Sequence, residues 1–290
     1  MSTALLTDQY ELTMVDAARA SGRAGRQAVF EVFGRQLPPG RRFGVVAGTH
    51  RLLDAIENFH FGEEELAFLS DHHIVSDETL SWLSTYRFSG TIRGYGEGEV
   101  YFPGSPILTV EGTFGEAVLL ETLILSVLNY DSAVASAAAR MVHASDHREL
   151  IEMGARRASE YSAVAASRAA YIAGFSATSN LEAGRLYGIP TRGTAAHSFT
   201  LVHDNEEEAF AAQVASMGTN TTLLIDTYDI AQGVERAIRV AGTELGAVRI
   251  DSGDLPVVVA KVRAQLDSLG ATKTGIVVTN DLNEYTIAGL

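Results

Sequence analysis

The sequence predicts an α/β fold in two parts: an N-terminal, mostly antiparallel α+β domain over residues 1–135, then an irregular (β/α) barrel over residues 136–290. The barrel is expected to be incomplete at its C-terminus. Three observations lead to this. Short β runs separated by Gly and Pro cluster between Phe88 and Gly112, as in an antiparallel sheet. After about residue 148 apolar runs alternate with helical patterns, the rhythm of parallel strands joined by right-handed crossovers. Finally, 290 residues with 46% hydrophobic content and only 6 Pro give one large α/β unit or two domains, which excludes disorder as the main state.

Taken in order, residues 4–20 read as a helix, with Thr7 and Asp8 as cap candidates and Leu12, Val15 and Ala18 at helical spacing. Residues 27–33 read as a strand and 37–44 as a turn-rich loop. Residues 45–59 regain helical periodicity, and Glu63, Glu64 and Glu65 open another helix, where carboxylates suit the positive end of the dipole. The β runs are 90–94, 99–102 and 106–111. Helices are expected at 116–128 and 133–143, the second rich in small residues that allow close packing. Strand-like runs follow at 150–154, 172–175, 193–197, 222–225, 247–250 and 275–278, with helices at 207–217, 231–241 and 255–269 between them, and a further helix begins after Asn283. Six strands are too few for the usual eight-strand barrel.

Composition removes several function classes. The absence of Cys excludes a disulfide scaffold, a Cys-ligated metal or cluster and a thiol nucleophile, and makes a cytoplasmic protein the simplest reading. A net charge of −14 argues against nucleic acid as a partner, because phosphate-backbone binding depends on Lys and Arg. An anionic ligand must therefore meet a local basic pocket. The start of the chain has Asp8 and Glu11 where a signal peptide needs a basic and then apolar stretch, and the apolar run 117–128 is too short to span a bilayer, so no membrane partner is expected.

In parallel α/β sheets, function gathers at the carboxyl ends of strands. There the sequence offers Glu152-Met-Gly-Ala-Arg156-Arg157, Gly193-Thr-Ala-Ala-His197-Ser198, Asp226-Thr-Tyr-Asp229, Arg249-Ile-Asp251-Ser-Gly-Asp254 and Thr279-Asn-Asp281. Arg156, Arg157 and Arg249 suit carboxylate or phosphate oxygens, whereas Asp226, Asp251 and Asp254 suit Mg²⁺ or sugar hydroxyls. Together they fit a phosphorylated sugar with a divalent metal, against the alternative of salt bridges closing a barrel mouth. His197 follows a run of small residues that lets a ligand approach the backbone, and suits acid/base, anion-donor or phosphate-acceptor chemistry. Weaker signals have structural readings: Gly94-Tyr-Gly96-Glu-Gly98 as a turn, His143 and His147 as a solvated helix end, His72 and His73 as surface, and Glu206, Glu207 and Glu208 as a helix start.

These clusters, with Leu6-Thr-Asp-Gln-Tyr10-Glu-Leu-Thr-Met14, Phe102-Pro-Gly-Ser-Pro-Ile-Leu-Thr-Val-Glu-Gly112 and the stretches 116–122 and 280–284, resemble the nicotinate phosphoribosyltransferase family over essentially the whole chain. The resemblance implies a head-to-tail homodimer with shared sites. It also implies a reaction in which nicotinate and phosphoribosyl pyrophosphate give nicotinate mononucleotide and pyrophosphate, with Mg²⁺ as cofactor and ATP as co-substrate through a phosphohistidine at His197. Family members continue past this C-terminus into further barrel strands and a glycine-rich phosphate-binding turn.

Residue by residue, the resemblance gives Tyr10 a stacking role on the pyridine ring in the partner subunit's site, and gives Arg156 and Ser198 the nicotinate carboxylate. Arg249, Asp251 and Asp226 would face the ribose and phosphate region, Asn280 and Asp281 would sit near the ribose 5-phosphate, and Asp251 with Asp254 would hold the metal. His197, Asp251 and Arg249 form the expected catalytic set. Relatives commonly carry an aromatic where this chain has Met153, which weakens one face of the expected ring sandwich. The alternatives are a related transferase for nicotinamide or quinolinate, and a truncated, non-catalytic relative.

Overall fold

The structure is a computed structural model and describes residues 2–290. Its chain forms two compact units, one from the residues up to Val142 together with Arg148–Thr191, the other from Arg192–Leu290 with the short segment His143–His147. The expected division at 135/136 falls inside a continuous 24-residue helix.

The first unit opens with α1 (Gln9–Ala20). It starts later than the periodicity from residue 4 implies, because Asp8 is extended and Glu11 turns back to accept from the Asp8 N–H at 3.3 Å, capping the helix there. Next come β1 (Gln27–Phe33), β2 (Gly44–Val45), α2 (Thr49–Glu57), α3 (Glu63–Asp71), α4 (Asp77–Leu83), β3 (Thr91–Gly94), β4 (Val100–Tyr101) and β5 (Pro106–Thr113). Strands β1, β5 and β3 form the expected antiparallel sheet in that order, and β2 pairs with β4. The expected helix over 45–59 therefore yields its first residues to a strand.

After β5 come α5 (Phe114–Val118) and α6 (Glu121–Ala144). Helix α6 merges the two helices expected at 116–128 and 133–143: the polar residues Asn129, Asp131 and Ser132 interrupt the apolar pattern but not the backbone. Its small residues do pack closely, since Ser136 Oγ accepts from Val45 N at 2.8 Å and Ser132 Oγ from Ala47 N at 3.2 Å. By length and composition α6 is long and apolar enough to cross a membrane, yet half of its most apolar window is buried inside the fold. Asp131, 1% exposed, pairs there with Arg51 at 2.8 Å.

The rest of this unit comprises β6 (Ile151–Glu152), α7 (Glu160–Ile172), β7 (Ala177–Thr178) and α8 (Leu181–Tyr187), with β6 and β7 parallel. The strand expected at 172–175 is instead the end of α7 and its turn, and the strand lies just beyond. The core gathers Leu12, Val15, Leu52, Phe59, Leu83 and Leu120, with Phe59, Phe61 and Tyr86 edge to face.

The second unit contains α9 (His197–Leu201), α10 (Glu206–Met217), β8 (Thr222–Leu224), α11 (Ile230–Ala241), β9 (Ala247–Ile250), α12 (Leu255–Ser268), β10 (Gly275–Val278) and α13 (Glu284–Gly289). Its sheet is parallel, in the order β10-β9-β8, over a core of Leu223, Ile225, Val234, Val248, Ile250 and Leu266. The expected strand at 193–197 is not formed: the small residues there offer nothing to bury, and the segment runs as a loop into α9. No closed barrel exists among the described residues.

The Gly94–Gly98 stretch is a turn, and Glu97 within it ties the first unit together. Its carboxylate accepts from both Arg168 Nη atoms at 2.7 Å and from Gly48 N at 2.8 Å. Burial alone would raise its pKa, but the hydrogen bonds and charge of Arg168, with the backbone donors, outweigh it and hold the carboxyl below its usual range. A carboxyl depressed in the folded state adds stability above its unfolded pKa, and that stability is lost as pH falls through the folded value. Glu97→Gln is expected to destabilise the protein at pH 7 by about 2–3 kcal/mol, and the gap to wild type should narrow as pH falls below the ordinary glutamate range and close once it passes the depressed folded value. Denaturant unfolding across that range checks it; a gap independent of pH would contradict the ion-pair account.

Candidate active site

Three parallel strands end side by side, and each delivers a polar residue just beyond its last apolar one. The ladder runs on past the strand ends: Ile225 N donates to Arg249 O at 3.1 Å and Thr279 N to Ile250 O at 2.9 Å. This places Asp226 after β8, Asp251 after β9 and Thr279 after β10 at one edge of the second unit. Helix α11 fixes the approach from below, because a Cβ at Gly233 would stand 2.4 Å from Ile225 O. Gly253, at φ 87°, lets the loop after β9 turn sharply into α12.

Asp226 is the hub. Its side chain has no exposed surface, its Oδ1 faces His197 Nε2 at 3.2 Å, and its Oδ2 accepts from Asp251 N and Ser252 Oγ, both at 2.7 Å. A buried carboxylate has to collect such donors, since leaving it unpaired costs several kcal/mol. His197 begins α9 with 41% of its side chain exposed, so one ring nitrogen is held and the ring still reaches solvent. With Asp226 as acceptor, Nε2 carries the proton and Nδ1 keeps its lone pair.

Arg249 closes the circuit. Its Nε donates to Thr279 Oγ1 at 2.9 Å, its Nη1 to Thr194 Oγ1 and Ala195 O at 3.2 Å, and its Nη2 to Asp251 Oδ2 at 3.4 Å. The guanidinium thus latches the loop that leads into His197. His197, Asp226, Arg249 and Asp251 are brought into one network. Ser198 lies exposed on the first turn of α9, and Asn280 and Asp281 follow β10, where Asn280 Oδ1 accepts from Asp281 N at 2.7 Å.

Thr279, Ser252 and Thr194 fall inside the strand-end clusters that the sequence offers, but the sequence assigns them no role in the network. Ser252 stands next to Asp251, but neither neighbour of Thr279 or Thr194 is charged, so the sequence carries little signal for them.

Two further expectations concern a metal. Asp254 sits exposed before α12 without a side-chain capping bond, while Asp251 commits one oxygen to Thr279 and the other to Arg249. Among the described residues no group of three His, Asp or Glu side chains is gathered as a metal would need. The residues present therefore do not form an all-protein cage for Mg²⁺. His143 and His147 are an exposed helix end, as the sequence suggests: His143 stands in the last turn of α6 and His147 just beyond it at φ 68°.

The two remaining site residues belong to the first unit. Tyr10, 45% exposed, donates to Glu121 Oε1 at 2.9 Å. Partial burial, then the hydrogen bond and charge of Glu121, push the phenol up to about 12, so it keeps its proton at neutral pH. Arg156 stands exposed in the tight turn Ala155–Arg157. That turn is anchored by Glu152, whose Oε2 accepts from Ser167 Oγ at 2.7 Å and Thr178 Oγ1 at 2.8 Å and whose Oε1 accepts from Gly154 N. Met153 is half-buried.

Residues 5–129 match the model of the nicotinate phosphoribosyltransferase N-terminal domain. Over 294 aligned residues, the chain is 56% identical to the nicotinate phosphoribosyltransferase pncB1 of Mycobacterium tuberculosis, covering 99% of this chain and 65% of that protein. It is 36% identical to the nicotinate phosphoribosyltransferase of Bacillus subtilis, covering 100% of this chain and 60% of that one. The chain thus spans less than two thirds of the length of these relatives. The crystal structure of human nicotinic acid phosphoribosyltransferase superposes with a TM-score of 0.87 at 29% identity, over 97% of this chain and 69% of that one. A nicotinate-nucleotide pyrophosphorylase from Pyrococcus furiosus shares the fold at a TM-score of 0.82 and 23% identity.

Asp226→Asn tests the hub. An amide has one acceptor oxygen, so its NH₂ must face either the His197 Nε2 proton or the donors of residues 251 and 252. The variant is expected to lose about 1–3 kcal/mol of stability and to shift the His197 tautomer balance, read from imidazole ¹⁵N shifts. An unchanged tautomer would contradict the assignment of the Nε2 proton.

Proposed function

The chain belongs to the nicotinate phosphoribosyltransferase family, and on that premise we propose that it transfers phosphoribosyl from phosphoribosyl pyrophosphate to nicotinate, the first step of NAD salvage from that base. The observation that carries this reading is the closed network of His197, Asp226, Arg249 and Asp251 at the carboxyl edge of a parallel sheet. It supplies a phosphate-acceptor imidazole, a guanidinium and carboxylates at one place.

In the proposed reaction the pyridine nitrogen displaces pyrophosphate at the ribose C1. That nitrogen carries no proton, so no general base is needed. Positive charge that builds on the ring is met by the carboxylate of Asp251, and the guanidinium of Arg249 meets phosphate oxygens. Asn280 and Asp281 are proposed to border the ribose 5-phosphate. Ser198 and Arg156 are proposed to hold the nicotinate carboxylate, and Tyr10 to stack on the ring in a partner subunit's site within a homodimer. Mg²⁺ is proposed to arrive as the pyrophosphate complex, because this ion keeps several waters and takes few protein ligands.

Coupling to ATP is proposed to run through His197. Asp226 holds the Nε2 proton, the Nδ1 lone pair attacks the γ-phosphorus, and the bond to the ADP oxygen breaks. Hydrolysis of the phosphohistidine then returns the free imidazole and phosphate. The cytoplasm is the proposed location.

Product formation from nicotinate and phosphoribosyl pyrophosphate, measured with and without ATP, tests the reading directly. His197→Ala is expected to abolish the ATP stimulation while leaving slow ATP-independent transfer; equal loss of both would refute the coupling role. Tyr10→Ala is expected to raise the nicotinate KM by up to about tenfold, the worth of one aromatic stack, and an unchanged KM would count against stacking.

A further inference from the structure

Thr279 sits where two charged groups need a referee. Its hydroxyl lies 2.9 Å from Arg249 Nε and 2.8 Å from Asp251 Oδ1, and its backbone N–H continues the ladder onto Ile250 O. A hydroxyl has one proton to give; a guanidinium only donates and a carboxylate only accepts. The orientation is therefore fixed: Thr279 accepts from Arg249 and donates to Asp251. Arg249 on β9 and Asp251 just past its end are two residues apart, yet their direct contact is a single long one, Nη2 to Oδ2 at 3.4 Å. The shorter bonds all run through the hydroxyl or to Thr194 and Ala195. A guanidinium beside a carboxylate ordinarily closes into a two-bond fork, which would consume the valences of both.

We infer that Thr279 is a positioning residue that holds Arg249 and Asp251 apart as two separately usable groups, leaving a second Nη2 proton and a free Oδ2 lone pair for a ribose phosphate ligand. This rests on the phosphoribosyl transfer reading above. The hydroxyl follows β10 directly and its clients lie at the end of β9, so the parallel pairing of these strands, continued by Thr279 N to Ile250 O, sets the spacing.

The test compares Thr279→Val, which keeps the shape and removes the hydroxyl, with Thr279→Ser, which keeps the hydroxyl. Two readouts are taken on each variant and on wild type. The first is steady-state kinetics with nicotinate and phosphoribosyl pyrophosphate. The second is hydrogen exchange at Arg249 Nε, followed by ¹H–¹⁵N NMR and assigned with Arg249→Lys. The valine variant is expected to raise the phosphoribosyl pyrophosphate KM about tenfold, as two charge-assisted hydrogen bonds are lost, with the nicotinate KM unchanged. Exchange at Arg249 Nε should speed at least as much, and serine should restore both.

A mere loss of folded protein would lower kcat alone and leave the exchange rate of the folded fraction unaltered, which would overturn the inference. So would a serine variant as impaired as the valine one. If wild type makes no nicotinate mononucleotide, the functional reading fails, and the Arg249 exchange still decides the positioning role: unchanged exchange in the valine variant rejects it.

Discussion

The second unit is organised by one constraint, the burial of the Asp226 carboxylate. A charge with no exposed surface is tolerated only where donors converge on it. Three do so here: the His197 ring, the Asp251 amide and the Ser252 hydroxyl. The loop after β9 and the start of α9 are thus not free to choose their conformations, and the His197 imidazole inherits its orientation from an electrostatic debt elsewhere. Glu206, also without exposed side-chain surface, shows the same pressure. Burial raises its pKa first, Arg236 at 2.9 Å opposes the rise, and the charges of Asp226 and Asp229 add to it.

The parallel sheet makes this convergence geometrically simple. Adjacent strands are held about 4.8 Å apart and point the same way, so the residues that follow their last buried positions come out as neighbours. In β8, β9 and β10 those residues are Asp226, Asp251 and Thr279. The first unit solves a different problem. There polar side chains are spent on fixing backbone: Ser136 satisfies Val45 of β2 and Ser132 the Ala47 amide just past it, Glu97 holds Gly48, and Glu152 secures the turn that carries Arg156.

What the sequence made legible follows the same split. Alternating and helical periods located β1, β3, β5 and the three parallel strands to within a residue or two, because each buries one regular face. The failures are local and physical. The run 193–197 reads as apolar, but its small residues have no surface to bury, and its carbonyl at Ala195 serves Arg249 instead of a strand partner. Helix α6 was read as two because Asn129 and Asp131 break the pattern, although Asp131 is satisfied by an arginine far away in sequence. At the site, charged residues were legible by type; the hydroxyls of Thr194, Ser252 and Thr279 were not, since a hydroxyl's role appears only once its two neighbours are placed.

Charge balance constrains how the proposed anionic substrate is recognised. The chain holds 36 acidic against 22 basic residues, and in the second unit Arg236, Arg239 and Arg249 each already hold a carboxylate. In the same unit an open concavity of about 920 Å³ is lined by Asp204, Glu206, Glu207, Glu208 and Asp229 against Arg236 and Arg239, so carboxylates outnumber cations there and both arginines are already paired. Long-range attraction therefore contributes little, and selectivity must come from oriented donors that keep a spare proton after their internal bonds are made. Such donors work only if their carboxylate partners are kept from taking the last proton. On the proposed reading the spacing between Arg249 and Asp251 is thus a requirement of recognition, and a cation in the same place without that spacing would be neutralised by its own neighbour.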